Sequence, residues 1–420
     1  MSTSQATTRA ERVIARCQRL ASFTETPGSL RRTFLSAAMH ECHREIAHWL
    51  ARLEVEVRID AAGNFRALYP ATNPNSPRLL IGSHLDTVAN AGSYDGILGV
   101  VLAVALLEEL QGRRFPFAIE VVGFSEEEGV RFGIPFIGSR ALVGRLDEDL
   151  LNTQDPQGIS VRRAIEAFHL NPNEISQAKL PNDTVASIEF HIEQGPVLEQ
   201  LNQPLAAVQA IVGQSRLEFA FLGRSNHAGA TPMYLRQDAL AGAAEWICIV
   251  ERMALTVPGL VATVGKIEAK PGATNVIASE VRCSLDVRHA NDEVRILAVQ
   301  KLIHGAEEIA SRRKLSVKEN TLLSQPAVAM DPFLTSEIEK AIVRAGCKSH
   351  RMISGAGHDA MILAEKVPAA MIFLRTPRGV SHDPAETVMI EDVERAITCG
   401  LHLFDQLAAS PEFLKRTTLA

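Results

Sequence analysis

The sequence has no long run of lysines or arginines, no CxxC pair among its six cysteines and no apolar segment long enough to span a bilayer. Its formal net charge of −6 and its pI near 6.1 argue against nucleic acid as a partner. The wide spacing of the cysteines is typical of reduced thiols rather than of a disulfide framework. We therefore expect a cytoplasmic protein that binds neither nucleic acid nor a membrane.

The longest apolar run, residues 97–107, is better interpreted as a buried helix than as a membrane span. The first twenty residues lack the apolar core of a secretory signal, so we expect none. A chain of 420 residues is too long for one ordinary core, and two domains are the default expectation.

The first half of the chain has the pattern of a parallel sheet with crossover helices. Apolar runs at 78–84 and 118–124 predict buried strands, and the segment 97–111 between them predicts a helix. A further strand is predicted at 187–193. Sites in open α/β sheets assemble at the carboxyl ends of such strands.

The pattern changes near residue 207, where the order becomes strand, helix, strand, strand, helix, strand. This is the split βαβ plan of a ferredoxin-like domain. We therefore predict an α/β protein with a mostly parallel-sheet catalytic domain, residues 1–210 and 329–420, and an inserted α+β domain, residues 211–328.

Five residues are interpreted as the ligands of one dinuclear metal site. Each is an imidazole or a carboxylate that lies beside small or turn-forming residues, and the set is His84, Asp95, Glu128, His191 and His382. Zinc and manganese are the first candidates, with cobalt and nickel as possible replacements. A site of this kind makes hydroxide from water at neutral pH, which indicates a hydrolase.

Each ligand also has a simpler interpretation. Asp95 precedes an apolar helix and could be its N-cap, and a single strand-end histidine such as His84 is more often structural. Asp86 strengthens the case because residues i and i+2 of an extended segment point the same way. Its carboxylate could accept the second imidazole N–H and fix the tautomer.

Three consecutive glutamates, Glu126, Glu127 and Glu128, follow the predicted strand 118–124. Adjacent carboxylates repel one another, so an acidic turn is the alternative to a site. We interpret Glu128 as a ligand and Glu127 as the general base, whose pKa can be tuned towards the operating pH.

The predicted inserted domain carries three further candidates. His227 lies in a glycine-containing loop and could donate to a developing oxyanion. Arg288 could bind a carboxylate through two hydrogen bonds, although a surface strand arginine remains the alternative. Asn275 could add a hydrogen bond.

These motifs together resemble those of the dinuclear zinc-exopeptidase-like amidohydrolases. The resemblance runs from about residue 20 to 410 and is greatest to the branch of allantoate amidohydrolases and N-carbamoyl-L-amino acid hydrolases. It rests on GSHLDTV, YDG, EEEGVRF, HIEQGPVLE, SNHAGATPM with RQDAL, GATNVI, SGAGHDA and GVSHDP.

The resemblance implies two divalent metal ions bridged by Asp95, one held by His84 and His191 and the other by Glu128 and His382. It implies that Glu127 is the base. It also implies a homodimer formed through the inserted domain, which acts as a lid, with His227 reaching the partner's active site. The residues that it implies for substrate binding are Gln194, Gln214, Asn275 and Arg288, with His358 near the cleft.

The expected activity is hydrolysis of a ureido (carbamoyl) C–N bond. Ala91 replaces a second glycine before YDG, which resembles the allantoate-type members and favours allantoate, an intermediate of purine catabolism, as the substrate. An N-carbamoyl-L-amino acid or another ureido acid, such as a β-ureido acid, is the alternative. A catalytically inactive binding protein and a dipeptidase or aminoacylase are further alternatives that the intact Glu127 and the HIEQGP and SGAGHDA motifs disfavour.

Overall fold

The structure is a computed structural model that describes residues 8–416. Its strands, numbered along the chain, are β1 Glu56–Ile59, β2 Phe65–Tyr69, β3 Arg78–His84, β4 Ala118–Phe124, β5 Thr184–Ile192, β6 Leu205–Ile211, β7 Gly213–Leu222, β8 Val261–Thr263, β9 Ile267–Lys270, β10 Glu280–His289, β11 Ser316–Gln325, β12 Val328–Ala329, β13 Arg351–Ser354 and β14 Ala369–Leu374.

The α-helices are α1 Arg9–Ala21, α2 Ala37–Leu50, α3 Ile97–Glu109, α4 Ile137–Leu142, α5 Glu148–Asn152, α6 Val161–Ala167, α7 Val197–Gln200, α8 Ala239–Thr256, α9 Asp292–Arg313, α10 Pro332–Arg344, α11 Asp359–Leu363, α12 Ile390–Ala408 and α13 Pro411–Leu414. Short 3₁₀ helices cover Pro172–Ala178, Met233–Leu235 and Pro377–Gly379. Within residues 8–416, none of the helices is long and apolar enough to cross a bilayer.

The chain divides into two compact units. The first contains the described residues up to Gln209, Met330–Met352 and the described residues from His358 onward, and the second contains Ala210–Ala329 and Ile353–Gly357. The segment Ile353–Gly357 was expected in the catalytic domain. It packs with the second unit because Ser354 O accepts from the Val212 N–H (3.0 Å) and Gly355 O accepts from Arg288 Nη1 (2.7 Å).

The larger sheet has the order β1-β2-β4-β3-β5-β14-β6, and the short strands β12 and β13 also pair with β6. Its four central strands, β4, β3, β5 and β14, are parallel, as the sequence predicted. Strands β4, β5 and β14 are buried along their whole length, because helices cover a parallel sheet on both faces. Helix α3 is buried from Ile97 to Leu107, which confirms that this apolar run is a core helix.

The second unit is built on a five-stranded antiparallel sheet with the order β11-β7-β10-β8, in which β9 also pairs with β10. Alternating residues of β7 and β10 point inward, and α8 and α9 pack on that face around Trp246. This strand order confirms the ferredoxin-like α+β plan.

Two segments differ from the predicted strands. The pattern of residues 208–224 predicts one alternating strand, but the chain leaves the large sheet at Ile211 and begins β7 at Gly213. The pattern of residues 260–269 predicts another single strand, but this part of the chain forms two short strands, β8 and β9. Both differences arise because alternation reports which face is buried and not which sheet a residue joins.

Candidate metal centre

The five predicted ligands lie in the first unit, at or beyond the ends of neighbouring strands. His84 is the last residue of β3, and His191 is the last residue but one of β5. Glu128 follows β4, Asp95 precedes α3, and His382 follows β14. Parallel strands bring their carboxyl ends to one edge of a sheet, and this brings residues far apart in sequence together.

Asp95 is the centre of this cluster. Its Oδ1 atom is 3.5 Å from His84 Nε2 and 3.2 Å from His191 Nε2. Its Oδ2 atom is 3.2 Å from His382 Nε2, which in turn is 3.5 Å from Glu128 Oε1. The two oxygens of one carboxylate therefore face two separate ligand groups.

The main chain fixes the tautomers of two histidines. His84 Nδ1 lies 3.0 Å from Asp86 O, and His191 Nδ1 lies 2.9 Å from Ile192 O. A carbonyl oxygen only accepts hydrogen bonds, so each neutral ring carries its proton on Nδ1. Both Nε2 lone pairs then face Asp95 Oδ1, as metal-binding imidazoles require.

The donor set fits a pair of divalent cations. Asp95 Oδ1 is buried and accepts no hydrogen bond. The ligand atoms of His84, Asp95 and His191 lie within 4.8 Å of one another, and so do those of Asp95, Glu128 and His382. Cations in these two positions would satisfy the orphaned oxygen and the imidazole lone pairs together.

Electrostatics separates the roles of the carboxylates. Burial acts to raise the pKa of Asp95, but the close imidazoles of His191, His382 and His84 hold it well below its usual range. Burial raises the pKa of Glu128 to about 7 and that of Glu127 well above its usual range. Asp95 is thus the fixed negative charge, and Glu127 is a carboxyl group with a high proton affinity.

The N-cap interpretation of Asp95 is wrong. Gly96 is the N-cap of α3, and no side chain caps this helix. Gly96 has a φ of +68°, and a Cβ atom there would lie 2.4 Å from the imidazole ring of His84. A glycine is therefore required for Asp95 and His84 to approach each other.

Asp86 supports the site differently from the prediction. The His84 imidazole interacts with the main-chain carbonyl of Asp86, whereas the nearest carboxylate oxygen is 3.7 Å from Nδ1. The carboxylate accepts instead from the backbone N–H groups of Glu127 (2.9 Å) and Glu128 (3.0 Å). It therefore orients the predicted base and one predicted ligand.

The three consecutive glutamates have different environments. Glu126 is fully buried and accepts from the backbone N–H groups of Phe34 (2.9 Å) and Arg131 (3.0 Å). Glu127 and Glu128 both have ligand atoms within 4.8 Å of those of His84. Glu126 thus anchors the loop, and the two that follow reach the cluster.

Two predicted substrate residues also lie beside the cluster. Gln194 Nε2 donates to Asp95 Oδ2 (2.8 Å), so its side chain interacts with the central carboxylate. His358 is 1% exposed and packs edge-on against His191 at a ring-centroid distance of 4.5 Å. It lies behind a predicted metal ligand rather than on an open surface.

The other predicted residues lie in the second unit and form two pairs. Arg288 and Gln214 are directly opposed in the β10–β7 register. His227 and Asn275 lie in neighbouring loops, where the Ala228 N–H donates to Asn275 O (2.9 Å). His227 pairs with Val276, which precedes β10, whereas Arg288 is close to the end of that strand.

Two residues near Asp95 were not singled out from the sequence. Ser381 Oγ donates to Asp95 Oδ2 (2.6 Å), and Glu386 Oε1 accepts from the backbone N–H groups of Tyr94 (2.8 Å) and Asp95 (3.0 Å). Their position beside His382 was the only signal in the sequence. Their contacts with Tyr94 and Asp95 join residues almost three hundred positions apart, and local sequence does not indicate such contacts.

Residues 80–406 match the family model described as peptidase family M20/M25/M40. The chain belongs to this family. The resemblance inferred from the motifs is thereby confirmed, and the His/Asp/Glu cluster agrees with the metal dependence of the family.

Relatives with two different activities are similar to this chain over almost its whole length. A probable allantoate deiminase from Oryza sativa subsp. japonica is 35% identical, over 95% of this chain and 88% of the relative. An N-carbamoyl-L-amino acid amidohydrolase from Geobacillus stearothermophilus is 37% identical, over 95% and 98%.

Among solved structures, an amidase of the hydantoinase/carbamoylase family from Burkholderia multivorans has a TM-score of 0.90 and 29% identity. The match covers 96% of this chain and 98% of that one. The similarity therefore includes both units and not the metal-site motifs alone.

Proposed function

We propose that this protein hydrolyses a ureido (carbamoyl) C–N bond, with allantoate as the first candidate substrate and ureidoglycine, ammonia and carbon dioxide as the products. The observation that carries the proposal is the Asp95 carboxylate, whose two oxygens face two ligand groups beside the buried Glu127. Relatives named for cleavage of such bonds support it.

The proposed ligands of the first cation are His84, His191 and Asp95 Oδ1. Those of the second are Glu128, His382 and Asp95 Oδ2. Two divalent ions in these positions would lower the pKa of water and stabilise negative charge on the attacked carbonyl oxygen. Zinc and manganese are the first candidates.

Glu127 is the proposed general base. Its raised pKa suits a group that removes a proton from the attacking water and then delivers it to the leaving nitrogen. The carbamoyl carbon gains the water oxygen and loses the nitrogen, and the resulting carbamate decomposes to ammonia and carbon dioxide. Asp86 keeps the base in position through the Glu127 N–H.

His227 is the proposed oxyanion donor. Its Nδ1 atom accepts from the backbone N–H groups of Gly229 and Ala230, both at 3.1 Å. The proton of the neutral ring must therefore be on Nε2, which is free to donate. The tautomer needed for oxyanion stabilisation is thus set by the loop itself.

Arg288 is the proposed anchor of the substrate carboxylate. Asp286 accepts from its Nε (2.8 Å) and Nη2 (3.1 Å), and Gly355 O accepts from Nη1 (2.7 Å). These bonds use three of the five guanidinium hydrogens and hold the plane rigid. The remaining two N–H groups can bind a carboxylate, and Gln214 and Asn275 are proposed to add hydrogen bonds.

The spacing along β10 supports a homodimer. The His227–Asn275 pair lies before Glu280, and the Gln214–Arg288 pair lies at the other end of the strand. At a rise of ~3.3 Å per residue the two pairs are about 25 Å apart, farther than one small ureido acid reaches. We therefore propose that His227 and Asn275 complete the site of the partner subunit.

The surface around His227 suits this role. Met233, Tyr234 and Leu235 are 75%, 80% and 60% exposed in the same loop. Arg236 braces the loop by donating to Thr231 O (3.0 Å) and to Ala228 O (2.5 Å). An exposed apolar segment on a braced loop is typical of an interface, and we propose a second copy of this chain as its partner.

The alternative function is hydrolysis of an N-carbamoyl-L-amino acid. The relative from Geobacillus stearothermophilus carries that name, and an N-carbamoyl amino acid also has a ureido group beside a carboxylate. The catalytic groups described above would serve either substrate. The six free cysteines support the proposal that either reaction occurs in the reducing cytoplasm.

The test is ammonia release by manganese-loaded protein from allantoate and from a panel of N-carbamoyl-L-amino acids. We expect allantoate to be preferred at least tenfold in kcat/KM, a difference of about 1.4 kcal/mol in transition-state binding. Glu127→Gln should keep its metal and lose at least 100-fold in kcat. Preference for the carbamoyl amino acids would establish the alternative, and no activity on either would contradict the proposal.

A further inference from the structure

Glu386 is buried (3% exposed) and lies between two loops that carry predicted ligands. It follows His382 by four residues, and its side chain reaches the loop that carries Asp95. Its Oε1 atom accepts from the N–H groups of Tyr94 (2.8 Å) and Asp95 (3.0 Å). One carboxylate oxygen therefore fixes the main chain at the central ligand.

The other oxygen of Glu386 is linked to the Asp95 side chain. Ser381 Oγ lies 3.3 Å from Glu386 Oε2 and donates to Asp95 Oδ2 at 2.6 Å. Oδ2 is the oxygen that faces His382. Glu386 thus contacts the backbone of Asp95 directly and its carboxylate through one hydroxyl.

Gly92, in the same loop as Asp95, packs closely on the Glu386 side chain. A Cβ atom on Gly92 would lie 2.4 Å from Glu386 Cβ and 2.5 Å from Oε1. Such distances are far below van der Waals contact, so the loop at residue 92 is packed directly on the glutamate. Glu386, four residues after His382, therefore contacts the Asp95 loop at three points, Gly92, Tyr94 and Asp95.

We propose that Glu386 is a positioning residue that sets the second cation position, the one formed by Asp95 Oδ2, Glu128 and His382. This inference rests on the proposed dinuclear site. The inference concerns the second position because Ser381, which Glu386 contacts, donates to Oδ2. The other oxygen, Oδ1, faces His84 and His191.

Two conservative variants distinguish the effect of the length of the Glu386 side chain from the effect of its charge. Glu386→Gln keeps the length and the accepting oxygen, and its amide can donate to Ser381 Oγ. Glu386→Asp keeps the charge but is one methylene shorter, so its oxygens withdraw from the Tyr94 and Asp95 N–H groups. A positioning role predicts that the glutamine variant functions and that the aspartate variant fails.

The experiment is metal titration of the full chain with Mn²⁺ or Zn²⁺, followed by calorimetry and by the spectrum of the Co²⁺-loaded protein. We expect two ions per chain in the wild type and in Glu386→Gln. Glu386→Asp should keep the first ion and bind the second at least tenfold more weakly. Its kcat should fall at least tenfold with KM changed less than threefold.

The exposed Glu391, five residues further on, provides the matched control: Glu391→Asp should behave as the wild type. Unchanged binding of both ions by Glu386→Asp, or loss of the second ion from Glu386→Gln, would overturn the inference. A wild type that binds no more than one ion would instead contradict the proposed dinuclear site. The two failures are therefore distinguishable.

Discussion

At the scale of single residues, the site depends on hydrogen bonds that orient the ligand side chains and leave their metal-binding atoms free. The imidazoles of His84 and His191 are held at Nδ1 by carbonyl oxygens, which leaves Nε2 for a ligand. Asp86 uses both carboxylate oxygens on the N–H groups of Glu127 and Glu128. Such supporting contacts give a metal site its geometry before any ion is bound.

We expect Asp86→Asn to lower kcat by about 10–100-fold, the usual effect of losing a residue that orients metal ligands. The amide has one accepting oxygen, and its NH₂ group would oppose one of the two backbone N–H groups. Steady-state kinetics and metal content would be measured together.

The half-exposed Asp405, which pairs with Arg113 at the surface, offers the matched control. Asp405→Asn should retain wild-type kinetics. Full activity in Asp86→Asn would show that the two backbone contacts are not needed to orient Glu127.

At the scale of elements, the sequence predicts the order of the main strands and helices. It does not predict where one element ends and the next begins. Strands β3 and β4 have the bounds that their apolar runs predicted. The division between β6 and β7 was missed, because residues 208–224 were interpreted as one alternating strand although they belong to two sheets. Strand β2 was missed as well, because its five residues, FRALY, are few for a periodic pattern and include an arginine.

The same distinction applies to the candidate site. The ligand types and their motifs are local signals, so the cluster around Asp95 could be predicted. Glu386 and Ser381 have no local signal, because their importance comes from contacts with Tyr94 and Asp95 across the fold. The role of the Asp86 carboxylate was misassigned because spacing indicates a direction but not a distance.

The junction between β3 and α3 gives a prediction at this scale. Gly96→Ala places a methyl group 2.4 Å from the His84 ring and forces an alanine to a φ of +68°. Backbone strain of this kind costs about 1–3 kcal/mol, and we expect loss of metal in addition. Urea unfolding and metal analysis would measure the two effects separately.

Gly112 is a matched control at the other end of α3. It has a φ of +87°, and nothing lies within 4 Å of the Cβ position. Gly112→Ala should therefore lose stability but keep full metal binding. Equal metal content in both variants would show that the close approach to His84 is not required.

At the scale of the whole molecule, we propose that a second chain completes the active site. A mixture of Glu127→Gln and His227→Ala subunits tests this, because each variant alone is expected to be inactive. In a mixed dimer, the subunit with an intact Glu127 receives an intact His227 from its partner. Random assortment should restore about a quarter of wild-type activity.

The control replaces the His227→Ala subunit by one that carries both substitutions, and this mixture should stay inactive. Mass measurement of the native dimers would verify that the subunits exchange. Exchange without recovered activity would place His227 in the site of its own chain.

Strand β10 acts as a spacer of fixed length between two groups of proposed substrate contacts. Insertion of one residue within it would reverse the face of every side chain beyond that point, so its length is tied to the separation of these two groups. We therefore expect substrate preference to change through exchange of side chains at the ends of β10. Changes in length belong in the loops, which can grow without altering that separation.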